Sequence, residues 1–137
     1  MPNAKSSAAA EPAAQRPKLL IVEDHPATLS ALSLMLSRAF PHCVLLAAAS
    51  GEAAMALCLT ETPTVVVMDI SLPGMNGLEA TRAILRKSPQ TKVLVHSSSD
   101  LAIYRESAKA SGAIAFVSKA DTARELIPMV QTLLNRS

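Results

Sequence analysis

Three carboxylates, a hydroxyl and an ammonium stand at the ends of short apolar runs in this chain. Glu23 and Asp24 close Lys18-Leu19-Leu20-Ile21-Val22, and Asp69 closes Thr64-Val65-Val66-Val67-Met68. Ser97 follows Val93-Leu94-Val95-His96, and Lys119 follows Ile114-Ala115-Phe116-Val117-Ser118. Runs of this length and β-favouring composition, bounded by turn residues, predict strands buried on both faces. A carboxylate at the carboxyl end of such a strand lies at the rim of a parallel sheet, where open α/β folds bind ligands. Three carboxylates gathered there repel one another unless a cation joins them. Hard oxygen donors without a His/Cys cluster suit Mg²⁺, which keeps waters and favours phosphate as a co-ligand. A carboxylate is also a nucleophile towards phosphorus, giving an aspartyl phosphate. Phosphoryl transfer asks for neutralisation of the equatorial oxygens rather than for a strong base. Lys119 offers a point charge to one oxygen, Mg²⁺ holds another, and the Ser97 hydroxyl donates to the third.

The elements that must bring these residues together alternate along the chain. Strands are expected at residues 19–22, 44–47, 64–69, 93–96 and 114–117. Between them lie helices at 26–38, from Ser50-Gly51-Glu52 to residue 59, at 77–86 and at 101–110. A last helix is expected over 122–134, with Thr122 and Glu125 spaced as a capping box and Pro128 inside it as a kink. Alternating βα units of this size imply parallel strands, right-handed crossovers and helices on both faces. The expected fold is a flavodoxin-like, doubly wound five-stranded α/β sheet of order 2-1-3-4-5. In that order the first and third strands are neighbours, so Glu23, Asp24 and Asp69 converge in one crevice.

Composition excludes several classes of function. The 137 residues make one domain, expected over 18–137, after an Ala/Ser/Pro-rich leader at 1–17 read as disordered. A net charge of +2 with no Lys/Arg block argues against direct nucleic-acid binding, and two per cent aromatic content leaves no platform for stacking bases. No apolar stretch approaches a membrane span, and the leader has no signal-peptide core. Cys43 and Cys58 lack CxxC spacing and are read as reduced thiols of a cytoplasmic protein. His25, His42 and His96 share no ligand spacing, and are expected in a loop, in a turn and hydrogen-bonded on a strand respectively.

Four segments, in order and each at a strand end, resemble the receiver domain of two-component response regulators. They are Ile21-Val22-Glu23-Asp24-His25-Pro26, Asp69 with Leu72-Pro73-Gly74-Met75-Asn76-Gly77, Val95-His96-Ser97-Ser98, and residues 112–119 ending in Lys119. The resemblance implies phosphorylation of Asp69 by a histidine kinase or phosphotransfer protein. It implies that Asp24, Asp69 and the Ser71 backbone carbonyl ligate Mg²⁺, with Glu23 acting through water. It implies a switch pair of Ser97 and Phe116, and a bacterial signalling protein that catalyses only its own phosphorylation and dephosphorylation. Ser97 rather than Thr, and Lys119 without a following Pro, look like the NarL/FixJ branch, which usually carries a C-terminal helix-turn-helix domain. His96 and Ser98 depart from the pattern, where an aliphatic residue and Ala are more common.

A flavin or nucleotide enzyme on the same sheet would want a phosphate-cradling loop after the first strand, and Glu23-Asp24-His25-Pro26 is acidic there. A partner surface is expected on the first helix. Leu29, Leu32, Leu36 and Phe40 form its core face, and Ala27, Ala31, Leu34 and Arg38 form a second stripe facing solvent. That stripe suits a kinase helix, with a homodimer seam as the alternative.

Overall fold

The computed structural model describes residues 16–136, so most of the expected leader lies outside the described residues. Five parallel strands, β1 (Lys18–Val22), β2 (Val44–Ala48), β3 (Val65–Met68), β4 (Lys92–Ser97) and β5 (Ala115–Ser118), form one sheet of order β2-β1-β3-β4-β5. The expected doubly wound topology is therefore the observed one. The helices that connect the strands are α1 (Pro26–Ala39), α2 (Gly51–Glu61), α3 (Gly77–Lys87) and α4 (Ala102–Ala110), and α5 (Ile127–Asn135) closes the chain.

Strand alternation sorts the core into two layers. Leu19 and Ile21 of β1, Val65 and Val67 of β3, Leu94 of β4 and Val117 of β5 pack with Leu32, Leu36, Val130 and Leu133 under α1 and α5. Leu20, Val22, Val66, Met68 and Val93 point the other way, against Ala54 and Cys58 of α2 and Ala80 and Ile84 of α3. A smaller cluster of Ile70, Val95 and Ala108 lies under α4. Extending the first set by two residues on each strand gives Glu23, Asp69, His96 and Lys119. Sheet periodicity alone therefore assigns these four polar residues to the α1/α5 side of the rim.

The first helix meets its expectation. Leu32, Leu36 and Phe40 are buried, with Leu29 and Ala39 packed beside them, whereas Ala27, Ala31, Leu34 and Arg38 are exposed. Cys43 and Cys58 are free thiols, and burial pushes that of Cys58 up to about 11.

The last helix differs from its expectation. The chain leaves β5 through a 3₁₀ turn (Lys119–Asp121) and a π turn (Thr122–Leu126) before α5 begins. Thr122 does not cap: its backbone is already helical, and its hydroxyl donates to the Lys119 carbonyl at 2.8 Å. Pro128 falls in the first turn of α5, directly after the π turn, so its missing N–H lies where the chain changes from π to α hydrogen bonding rather than inside a regular α-helix.

Candidate site at the carboxyl rim of the sheet

Register places the acids side by side. Val22 pairs with Met68, so Glu23 and Asp69 leave adjacent strands at the same level, and Asp69 N–H still donates to the Val22 carbonyl at 3.1 Å. The loop after β3 is then turned back sharply. Gly77 N–H donates to the Ile70 carbonyl at 2.9 Å, and a Cβ at Gly77 would stand 1.9 Å from the Asp69 carbonyl oxygen. Only glycine permits α3 to start that close to the carboxylate-bearing residue. Asn76 then caps α3, accepting from Leu78 and Glu79 N–H, while Glu79 accepts from Asn76 N–H in return.

Lys119 crosses the rim to join the two buried acids. Its Nζ lies 2.8 Å from Glu23 Oε1 and 3.3 Å from Asp69 Oδ2. Glu23 is 1 % exposed, and its other oxygen accepts from both the N–H and Nδ1 of His25, at 3.1 and 3.0 Å. Burial opposes ionisation of Glu23, but the Lys119 and His25 hydrogen bonds outweigh it and hold the carboxyl below its ordinary range. Burial likewise opposes the charge on Lys119, and its two acidic partners overcome that and raise it. Asp69 moves the opposite way: burial, reinforced by the Glu23 charge, raises it despite Lys119 and the Ser71 N–H bond at 3.2 Å. Glu23 and Lys119 are thus an ion pair, and of the two buried acids Asp69 has the less compensation.

The donor set fits a hard divalent cation. One ligand atom from each of Glu23, Asp24, His25 and Asp69 lies within 4.8 Å of the others. Asp24 Oδ1 is buried without a hydrogen-bond partner, a costly arrangement that a cation would relieve. Sequence reasoning set His25 aside as a loop residue, yet its ring stands 3.0 Å from Glu23 and 3.5 Å from Asp24. These two acids raise its pKa, Glu23 through a hydrogen bond and Asp24 through its charge. Its position directly after the acidic pair was the available signal.

The remaining expected residues divide. Ser97 is buried at the end of β4, level with Ser118, and its hydroxyl accepts from Ser99 N–H at 3.1 Å. Phe116 lies on the other side of β5 from Lys119, half-buried, with the Arg105 guanidinium 4.5 Å from its ring centroid. Ser71 follows Asp69 in the exposed part of the loop. Of the α1 stripe, Ala27 and Ala31 line a groove of about 350 Å³ that also contains His96, Lys119 and Thr122, whereas Leu34 and Arg38 lie away from it. His96 is hydrogen-bonded as expected, through Nε2 to Thr122 Oγ1 at 2.7 Å. No helix among the described residues is long and apolar enough to cross a membrane.

Comparison with known proteins identifies the family. The chain is 35% identical over 117 residues to the transcriptional activator protein ExaE of Pseudomonas putida, covering 85% of this chain and 54% of that one. It is 31% identical over 114 residues to the response regulator GacA of Pseudomonas aeruginosa, covering 83% of this chain and 53% of that one. The chain therefore spans about half the length of these curated relatives. Among solved structures, a LuxR-family two-component response regulator from Aurantimonas sp. SI85-9A1 superposes with a TM-score of 0.81. That pair is 29% identical, over 89% of this chain and 88% of the other. Residues 19–131 match the family model of the response regulator receiver domain, and the chain belongs to that family.

Proposed function

We propose that Asp69 accepts a phosphoryl group from a histidine kinase or phosphotransfer protein, and that the resulting aspartyl phosphate controls an output. The observation that carries this reading is the unequal state of the two buried acids. Glu23 is fully engaged by Lys119 and His25, whereas Asp69 keeps only a longer contact to Lys119 and one backbone bond. Of these two buried acids, Asp69 is thus the oxygen nucleophile left available.

In transfer, an Asp69 carboxylate oxygen forms the new bond to phosphorus while the donor's bond to phosphorus breaks, its electron pair leaving with the donor. Lys119 moves its ammonium from Asp69 to a phosphoryl oxygen, and Ser97 donates its hydroxyl to another. Asp24, Asp69 and the Ser71 carbonyl would hold Mg²⁺, with Glu23 acting through water. When bound, the ion neutralises charge that accumulates on the phosphoryl oxygens. Ser97 and Phe116 would report the change to the α4 side, where Phe116 now rests under Arg105. The donor protein would lie on Ala27, Ala31, Leu34 and Arg38 of α1, a stripe whose first two members border Lys119. The segment would act in the bacterial cytoplasm as a switch rather than as an enzyme on other substrates. Control of transcription would follow where a DNA-binding domain is joined to it.

Intact-mass measurement after acetyl phosphate and Mg²⁺ tests the acceptor. The wild type should gain one phosphoryl group, with none gained in Asp69→Asn or in the presence of EDTA. Undiminished labelling of Asp69→Asn would overturn the assignment. Ala31→Arg and Leu34→Glu should block transfer from the cognate kinase and leave labelling by acetyl phosphate intact. No loss of either would remove the docking role from α1, whereas equal loss of both would mean that the substitution damaged the fold or the site.

A further inference from the structure

His96 and Thr122 join two elements that the chain separates by 26 residues, and neither belongs to the carboxylate–lysine cluster. His96 is 2 % exposed at the end of β4. Its Nε2 stands 2.7 Å from Thr122 Oγ1, and the Thr122 hydroxyl donates to the Lys119 backbone carbonyl at 2.8 Å. A hydroxyl has one proton, and here it goes to Lys119, so Nε2 must carry the hydrogen of the other bond. His96 therefore carries a hydrogen on Nε2. Burial keeps the ring neutral, holding the imidazole down to about 4 with the Lys119 charge as a lesser cause. The 3₁₀ turn that begins at Lys119 has no buried residue of its own, so packing does little to fix it. The two hydrogen bonds supply a tie from β4 to its first carbonyl.

We propose that His96 and Thr122 are positioning residues for Lys119, holding the turn that carries it against β4 and so setting the reach of its ammonium to Asp69. The proposal rests on the reading of Lys119 as the phosphoryl partner. Filling the core is the simpler role for both side chains, and substitution separates the two. Thr122→Val keeps the shape and loses the hydroxyl, whereas Thr122→Ser loses a methyl and keeps the hydroxyl.

Three readouts on the folded, full chain test it. In metal-free protein, ¹H–¹⁵N spectra should show a slowly exchanging His96 Nε2–H in the wild type and Thr122→Ser, absent from Thr122→Val. The Lys119 ε-methylene resonances, assigned with Lys119→Arg, should shift in Thr122→Val and return in Thr122→Ser. The rate of labelling by acetyl phosphate should fall roughly tenfold in Thr122→Val and His96→Leu, and stay within about twofold of wild type in Thr122→Ser. Wild-type Lys119 resonances together with wild-type labelling in folded Thr122→Val would overturn the proposal. Should His96→Leu fail to fold, the Thr122 pair carries the test by itself. A wild type that is not labelled at all refutes the phosphoryl-acceptor reading instead, and the Lys119 resonances still decide whether the tie positions the turn.

Discussion

Helices α3 and α4 lie on the same side of the sheet, and each follows a strand that ends at the rim, yet they are held very differently. The loop from Asp69 into α3 is locked by the Gly77 approach and by a reciprocal cap between Asn76 and Glu79. Along α3, Ala80, Thr81 and Ile84 are buried against the sheet. The loop from Ser97 reaches α4 through Leu101, which offers no side-chain cap. In α4 only Ala108 is buried, while Leu101 and Ile103 are 63% and 66% exposed. Arg105 lies over Phe116 and pairs with Asp100 at 2.8 Å, both surface interactions of small worth. Few buried contacts and an uncapped end mark α4 as the segment that opens at low cost. The proposed acceptor thus stands on the rigid connection, and the proposed reporters, Ser97 and Phe116, border the loose one. A phosphoryl group can shift populations only where two arrangements differ little in free energy, and α4 meets that condition better than α3.

The largest expected effect comes from breaking the rigid side. Gly77→Ala drives a methyl into the backbone of Asp69 and Ile70, which is not the far end of a flexible side chain, and should cost about 4 kcal/mol in urea unfolding. A loss below about 1 kcal/mol would mean that the α3 connection is more compliant than its geometry.

Hydrogen exchange at two pH values sharpens the contrast. Amides of α3 should open only with global unfolding, and those of α4 by local opening at least about 2 kcal/mol cheaper. His96 supplies a handle on the global term. Its pKa is about 4 in the folded chain against an ordinary 6.5, so the unfolded chain binds more protons between those values. The corresponding stability is whole above about pH 6.5 and is lost as pH falls towards 4. Between pH 7 and pH 5 the loss is about 2 kcal/mol. Relative to His96→Leu, α3 protection should fall by that amount in the wild type, whereas α4 protection should not move. Parallel losses in both helices would make them one cooperative unit and erase the distinction.

The smallest effects come from exchanging the caps. Asn76→Ala should destabilise the chain by about 1 kcal/mol and Leu101→Asn should raise α4 protection by about 0.5 kcal/mol. If Leu101→Asn leaves α4 exchange unchanged, the missing cap is not what loosens it.

The sequence by itself determined the sheet and most of the rim. Apolar runs of strand length, separated by helical periods, leave a parallel doubly wound sheet as the arrangement that buries them. That order brings the ends of β1 and β3 together. The convergence of Glu23, Asp24, Asp69 and Lys119 was legible because Glu23, Asp69 and Lys119 directly follow strands, with Asp24 one residue further, and a strand end is a fixed point in space. Tertiary structure decided the partners. That Lys119 sits closer to Glu23 than to Asp69 depends on side chains 96 residues apart meeting in a crevice whose width no local pattern encodes. His25 was passed over because its hydrogen bond reaches back to Glu23, a contact set by the turn rather than by any ligand spacing. Thr122 was read as a cap because Thr and Glu at that spacing cap helices; here a buried imidazole and the Lys119 carbonyl claim its hydroxyl, and the chain enters α5 by 3₁₀ and π turns. Local pattern gives each residue's direction from its own backbone, whereas a hydrogen bond goes to whichever group the fold brings within reach.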